Sequence, residues 1–459
     1  MKTRFDIHCH IFNKNIISRR IIISALHEIL EALEIKYDPK KTSQKKDRER
    51  FLTKLRRIAN FLRIGFKSNS LKVFEILKKD YPDENFIFTP LMFDLKYCFQ
   101  EEYDTKPETL IKNSFHKQNE FDILIAKVKK LEDHIQKNQE LFSTKKAKIS
   151  ADANLRKINF LINRLKNERK NSFFSHLILK NDIGNFEEQI NQMIVIKKKY
   201  PKNVFPFFVI DPRRPGILEL MKIYVGKDKP FYGIKLYTPN GYSPVDPVLF
   251  GKNKNDDCVY KYCIDNDIPI TAHNSAGGFS NFVDKVQVKG FICKDRKPVN
   301  TDTLPGHWVH FKTNILHGKK AIKERALTLN YPKLWEIVLE RYKTLRLNLA
   351  HFGTDNARWT EEIYRLLNGE KSDGSLLYPN LYTDFSCFEA DDIIKIKTKY
   401  FDKASEKVKS KFLYGSDFYL NMLSTNSMRK YYKNFTDVFS VKDFDRISIK
   451  NPKQFLKFK

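Results

Sequence analysis

Eight short apolar runs, each followed by a stretch of helical periodicity, constrain this chain more than any other feature. They are Phe5–His10, Phe86–Phe93, Phe205–Ile210, Tyr232–Tyr237, Ile268–His273, Arg346–His351, Leu381–Phe385 and Phe412–Asp417. Most carry β-branched or aromatic residues, and several follow polar or proline-bearing turns, as at 266–269 and 378–380. Strands that alternate with helices build a parallel sheet, and eight such units can close on themselves. The expected fold is an α/β chain, a (β/α)8 TIM barrel. At 459 residues the chain exceeds a minimal barrel and leaves room for insertions within a single domain spanning 1–459.

Two regions do not fit a minimal barrel. Between 117 and 172, Phe121, Leu124, Val128, Leu131, Ile135 and Phe142 step by three and four, and so do Leu155, Ile158, Ile162 and Leu165. The spacing predicts two amphipathic helices paired as a hairpin insertion. Basic residues outnumber acidic ones there, and the expectation is a solvated hairpin that covers the barrel or packs on another subunit rather than a functional basic patch. The second region, about 274–340, follows the fifth strand and is expected as a long loop. It holds Gly277-Gly278 and the His-bearing stretch from Gly306 to Phe311, with His307 and His310 read as lid or hydrogen-bonding residues.

The chemistry sits at the ends of the runs. In a strand, residues i and i+2 face one side, so His8 and His10 point one way and Cys9 the other. Two imidazoles so placed can clamp a divalent ion. A lone His-x-His pair is a weak signal, but His273, His351 and Asp417 also end apolar runs, where barrels carry their catalytic residues. Lys235 stands near the end of the fourth run. Arg213 and Arg214 follow the third, and a guanidinium there could grip a substrate carboxylate. Tyr237, Asn240 and Asn274 lie just past strand ends and are candidate pocket residues.

The formal net charge of +29 raises nucleic acid as a partner. No recognition motif accompanies the charge, and the Lys-, Asn-, Ile- and Phe-rich composition explains it, so a field favouring small anionic substrates is the expectation. The six cysteines are scattered without a paired motif, which fits free thiols in a reducing compartment. No apolar run approaches a membrane span, and a cytoplasmic protein is expected, with a homodimer, common for enzymes of this size, left open.

In these strand-end residues the chain resembles the amidohydrolase superfamily, in particular its amidohydrolase-related branch, which includes aminocarboxymuconate-semialdehyde-decarboxylase-like enzymes. The resemblance runs from Phe5 to the closing Asn451–Leu456 stretch. It is supported by Asp211-Pro-Arg-Arg214, by Gly233–Tyr237 with Gly241–Pro244, and by Tyr414-Gly-Ser-Asp417. The 117–172 segment is not part of the common pattern. The resemblance implies that His8, His10, His273 and Asp417 bind metal and that His351 stays off it as acid, base or carbonyl polariser. It also raises a carbamylated Lys235 bridging two metals, against which one metal is favoured, with Lys235 as a substrate-binding ammonium. Imidazoles with one carboxylate suit zinc, with manganese or iron as substitutes, and leave a position open for water.

The leading expectation is a metal-dependent hydrolase in which activated water attacks a C–N or C–O bond of a small, anionic substrate. A non-oxidative decarboxylase using the same ligands is the rival enzyme. A non-catalytic protein that binds partners through the basic insertion is the reading from another class.

Overall fold

The computed structural model describes residues 2–14, 16, 45–82, 85–94, 96–101, 120–137, 145–170, 186–313, 318–354 and 356–458. In chain order its strands are β1 (Thr3–Cys9), β2 (Asn85–Pro90), β3 (Phe207–Ile210), β4 (Gly233–Leu236), β5 (Ile270–His273), β6 (Lys285–Gln287), β7 (Phe291–Lys294), β8 (Lys297–Asn300), β9 (Trp308–His310), β10 (Leu347–Ala350), β11 (Leu381–Asp384) and β12 (Phe412–Leu413). Eight of them fall inside the eight runs or overlap them.

Those eight run parallel. β1 pairs with β2, and a second ladder follows the order β3, β4, β5, β10, β11, β12. Backbone hydrogen bonds join the two pieces at both seams. Between β2 and β3, Phe88 N–H donates to Asn203 O at 2.7 Å and Phe205 N–H to Phe88 O at 2.9 Å. Between β12 and β1, Ile7 N–H donates to Tyr414 O at 3.2 Å and Asp417 N–H to His8 O at 2.7 Å. The eight strands thus form a ring, the (β/α)8 arrangement that the alternation predicts.

Alternation along each strand divides two cores. Phe5, Ile7, Ile87, Leu91, Phe207, Tyr382 and Leu413 fill the ring from within, and Phe455 and Leu456 from the last helix join them. The larger core lies outside the ring, where Phe88, Phe208, Ile210, Ile234, Leu236, Ile270, Ala272, Leu347 and Leu349 meet the helices. β1 breaks strict alternation. Its pairing register shifts between Asp6 and Cys9. Ile7 belongs to the inner core and Cys9 to the outer one, while His8 lies against Gly415 and Ser386. An extra residue in the strand therefore turns both Ile7 and His8 inward and leaves Asp6 facing Tyr81 and Ser416.

Helices α1 (Lys45–Gly65), α2 (Ser70–Asp80), α3 (Glu120–Lys137) and α4 (Lys145–Lys170) precede β3. α3 and α4 make the predicted helical insertion, and they pack with α1 around a separate small core of Leu55, Ile58, Leu62, Val128, Leu131, Leu155, Ile158 and Ile162. Phe142 and the side chains of Phe121, Leu124, Ile135 and Leu165 lie outside the described residues. Leu423, just past the last barrel strand, packs on this core.

The long segment after β5 is not a bare loop. It folds into two antiparallel pairs, β6 with β9 and β7 with β8, followed by helices Lys319–Asn330 and Pro332–Arg341. The strands are three or four residues long and β8 contains Pro298, so no stretch was long enough to show period-two alternation. Among the described residues no helix is long and apolar enough to cross a membrane.

Candidate metal centre

The proton positions on the β1 histidines follow from what their partners can do. His8 Nδ1 stands 3.1 Å from Asp384 Oδ2, and an ionised carboxylate only accepts. The proton is therefore on Nδ1, and Nε2 keeps its lone pair. His10 repeats this, with Nδ1 3.0 Å from the Leu91 carbonyl. Both Nε2 atoms then face Asp417 Oδ1, at 3.4 Å from His8 and 3.3 Å from His10. Buried His8 Nε2 and Asp417 Oδ1 have no hydrogen-bond partner. Lone pairs brought this close without a proton between them repel, and burial removes the water that would relieve them. A cation between them would relieve this, and the donor set fits one.

The last strand delivers Asp417 through a close approach. A Cβ on Gly415 would lie 2.7 Å from His8 Cβ, so only glycine lets this turn reach β1. Asp6 then ties the two ends together, accepting from Ser416 N–H at 2.9 Å and Ser416 Oγ at 2.6 Å. Tyr81 donates to its other face at 2.7 Å.

His351 joins the group from the end of β10. A ligand atom from each of His8, His351 and Asp417 lies within 4.8 Å of the other two. His351 Nδ1 is 2.8 Å from Ser386 Oγ, and that hydroxyl donates to Asp384. Asp384 also accepts from His351 N–H at 3.0 Å and Asn348 Nδ2 at 2.7 Å. His351 (φ 71°) and Asp417 (φ 58°) both adopt the left-handed backbone region. Non-glycine residues held there cost on the order of 1 kcal/mol each, and such strain gathers at functional sites.

His273, at the end of β5, lies beside this cluster. Its Nε2 is 3.0 Å from the Gly277 carbonyl and 3.3 Å from Ser275 Oγ. Its ring lies against Tyr237, with centroids 4.4 Å apart, and against His351 at 4.8 Å. Gly278 (φ +96°) closes the turn, and a Cβ there would meet Tyr237 Oη at 2.6 Å and His273 Cε1 at 3.0 Å.

Burial dominates the electrostatics. It pushes the His8 imidazole down to about 3, against the pull of Asp384, and it lowers His351 and drives His273 well below the usual imidazole range. All three are neutral near pH 7, the form that ligates metal. Burial alone would raise Asp417, but the His10, His351 and His8 rings turned towards it hold its carboxyl below the usual range. Asp384 is likewise lowered against burial, chiefly by His8. Lys235 lies in the wall beneath. Its buried Nζ has no hydrogen-bond partner, and burial lowers it to about 8.

A cavity of about 200 Å³ opens onto His10, His273, His351 and Asp417. Its walls include Phe93, Tyr237 and Phe279, and its charged lining residues other than Asp417 are the acidic Glu389 and Asp392. Tyr237 thus reaches the cavity, though its hydroxyl is engaged with Phe279 backbone groups at 2.8 and 2.7 Å. Arg213 does not line it: the guanidinium grips Asp211 at 2.9 and 2.7 Å and bonds the Tyr97 and Asn240 carbonyls. Arg214 pairs with Asp94 at 2.7 Å. Asn274 bonds the Asn330 carbonyl at 2.9 Å and accepts from Trp359 Nε1 at 2.8 Å. Their substrate roles were expected from position alone, and their side chains instead brace the framework. His307 and His310 also lie off the cavity, and His310 lines a wider hollow of about 1390 Å³ on the 292–328 insertion.

No family model and no curated protein matches the chain. Among solved structures, it is similar to a probable 2-pyrone-4,6-dicarboxylic acid hydrolase from Acinetobacter baumannii, at 15% identity over 58% of this chain and 78% of that one, TM-score 0.33. It is similar to 2,6-dihydroxybenzoate decarboxylase from Rhizobium, at 14% identity over 59% and 79%, TM-score 0.33. It is also similar to a manganese-bound 5-carboxyvanillate decarboxylase from Novosphingobium aromaticivorans, at 11% identity over 59% and 68%, TM-score 0.34.

Sequence reasoning missed Asp384 and Ser386, which orient His8 and His351. A weaker signal was present, because Asp384 is an ionisable residue one position before the end of the seventh run, whereas Asp417 stands at the end of the eighth. Asp6 carried no such mark, since strict alternation would have placed it on the His8 side of β1.

Proposed function

We propose that this chain is a divalent-metal-dependent enzyme of the amidohydrolase type, acting on a small molecule as a hydrolase. One observation carries the reading. The unprotonated His8 Nε2 and His10 Nε2 both face Asp417 Oδ1 within 3.4 Å, with no hydrogen to share. Imidazole nitrogen with carboxylate oxygen suits Zn²⁺, and also Mn²⁺ or Fe²⁺. A divalent ion bound there supplies Lewis acidity and makes water a nucleophile near neutral pH.

The chain's own groups supply the rest. His8, His10 and Asp417 hold the ion, with Asp384 and the Leu91 carbonyl fixing the ring orientations. Asp417, the carboxylate of the set, would take a proton as water attacks and return it to the leaving group. Phe93, Phe279 and Tyr237 line a small cavity and limit the water it holds. The acidic Glu389 and Asp392 give no support to a strongly anionic substrate, whereas Lys235 beneath the centre supports a negative or developing negative charge at the reacting end.

The aromatic walls also suit a planar ring, which keeps a decarboxylase acting through the same residues as the second reading. Turnover in H₂¹⁸O separates them. Label in the product supports hydrolysis, and CO₂ release without label replaces it with decarboxylation. Metal content tests the centre itself. One equivalent per chain is expected, two would indicate a carbamylated Lys235, and none would remove the enzymatic reading.

A further inference from the structure

We propose that the insertion after β5 carries a docking groove for an acidic, amphipathic segment of a partner protein. The groove is the hollow of about 1390 Å³ lined by β7, β9 and the helix Lys319–Asn330. That is more than the roughly 300–1,000 Å³ of a small-molecule site. The hollow shares no lining residue with the cavity over His10, His273 and Asp417.

Its lining divides by chemistry. Buried Ile292 and Val309, with half-buried Leu304, Leu327 and Trp308, form an apolar floor. Lys294, Arg296, Lys312, Lys320 and Lys323, all exposed, form a cationic rim. Among the described residues none of the five has an ion-pair partner, whereas cations just outside the hollow do: Lys285 faces Glu101 and Lys333 faces Glu362. Two carboxylates share the lining, Asp295 and Glu324. Glu324 is turned to the backbone and accepts from Lys312 N–H at 2.7 Å and Thr313 N–H at 2.8 Å, which fixes the turn that carries Lys312. Positive charge is left in excess around an apolar surface.

That combination selects the occupant. A segment with apolar side chains on one face and Asp or Glu on its flanks satisfies both floor and rim. A nucleic-acid backbone would meet the cations and leave the floor uncovered. A second copy of the chain is opposed by charge, because each carries a formal +29. The rim is also held in place before a partner arrives, which lowers the ordering cost of binding. β7 turns into β8 through Asp295 and Arg296 alone. Lys320 and Lys323 lie three apart on one helix face. Buried Arg325 on the same helix donates to Val283 O and Thr313 O, each at 2.9 Å, and anchors that wall.

Trp308 supplies the readout, because the other two tryptophans, Trp335 and Trp359, are fully buried. The probe is a synthetic leucine–glutamate peptide with one apolar and one acidic helical face, added to the full chain at about 0.15 M salt. The peptide is expected to shield tryptophan emission from acrylamide, and a glutamate peptide without leucine to bind at least about tenfold more weakly. Lys320→Glu with Lys323→Glu should weaken binding at least about tenfold and leave metal content unchanged. Lys450→Glu with Lys453→Glu, exposed residues that do not line the hollow, makes the same change in net charge and should keep affinity within about threefold. Equal loss in the two double variants, equal binding of the leucine-free peptide, or no shielding of Trp308 overturns the proposal. An oligothymidylate of equal charge that shields Trp308 better than the peptide also overturns it, in favour of nucleic acid. Should the Lys320/Lys323 variant fail to fold, the shielding and the peptide comparison on wild-type protein still decide.

Discussion

His8 Nε2 lies 3.4 Å from Asp417 Oδ1, and Asp417 N–H donates to His8 O at 2.7 Å, so the first and last barrel strands meet at both side chain and backbone. His8→Ala and Asp417→Ala are each expected to lower metal affinity at least about 100-fold and to abolish turnover while circular dichroism stays near wild type. Elemental analysis after dialysis measures the loss. Full metal occupancy in both variants would refute the centre.

Asp384 orients two rings without lining the cavity. Asp384→Asn keeps the shape but places an amide where His8 Nδ1–H, His351 N–H and Asn348 converge. One acceptor is lost and a donor faces donors. Metal affinity should fall about 10- to 100-fold with the ligands themselves untouched. Wild-type affinity in this variant, measured by competition with a chelator, would show that the rings are oriented by packing instead.

Lys235 makes a prediction with a pH signature. Burial lowers its folded pKa to about 8, below the usual lysine value of 10.5. The unfolded chain binds the proton more tightly, so below pH 8 the buried ammonium costs stability, on the order of 3 kcal/mol. That cost fades as pH rises from 8 through 10.5. Lys235→Met should therefore melt higher than wild type at pH 7 in the metal-free state, and the gap should narrow by pH 10. Equal melting at pH 7 would mean that Lys235 has a compensating partner.

The helical insertion reaches the site through α1. Phe61 packs on both hydrophobic cores, and its ring lies 5.2 Å from Tyr419, two residues past Asp417. Phe61→Ala should cost about 2 kcal/mol, less than a fully buried Phe, and should speed chelator-driven metal release several-fold. Unaltered release with lowered stability would confine the insertion to a structural role.

The ring of strands was legible because each strand end carries two signals at once, an apolar run and a turn. His8, His10, His351 and Asp417 stood out because an ionisable residue at such an end is costly to bury without a purpose. The register shift in β1 was not legible, since nothing in Asp6–Cys9 reads differently from an ordinary alternating strand. The partners of Arg213 and Asn274 were hidden for another reason. Asp211, Asn330 and Trp359 reach them through tertiary packing, which leaves no trace in local spacing.

Closure of β12 onto β1 also orders events during synthesis. A nascent chain still threaded through the ribosome at its final strand presents His8 and His10 with no carboxylate opposite them. An ion held by this set would therefore gain its carboxylate only once β12 has closed on β1, and the metal supply at that moment would bear on which ion the protein carries.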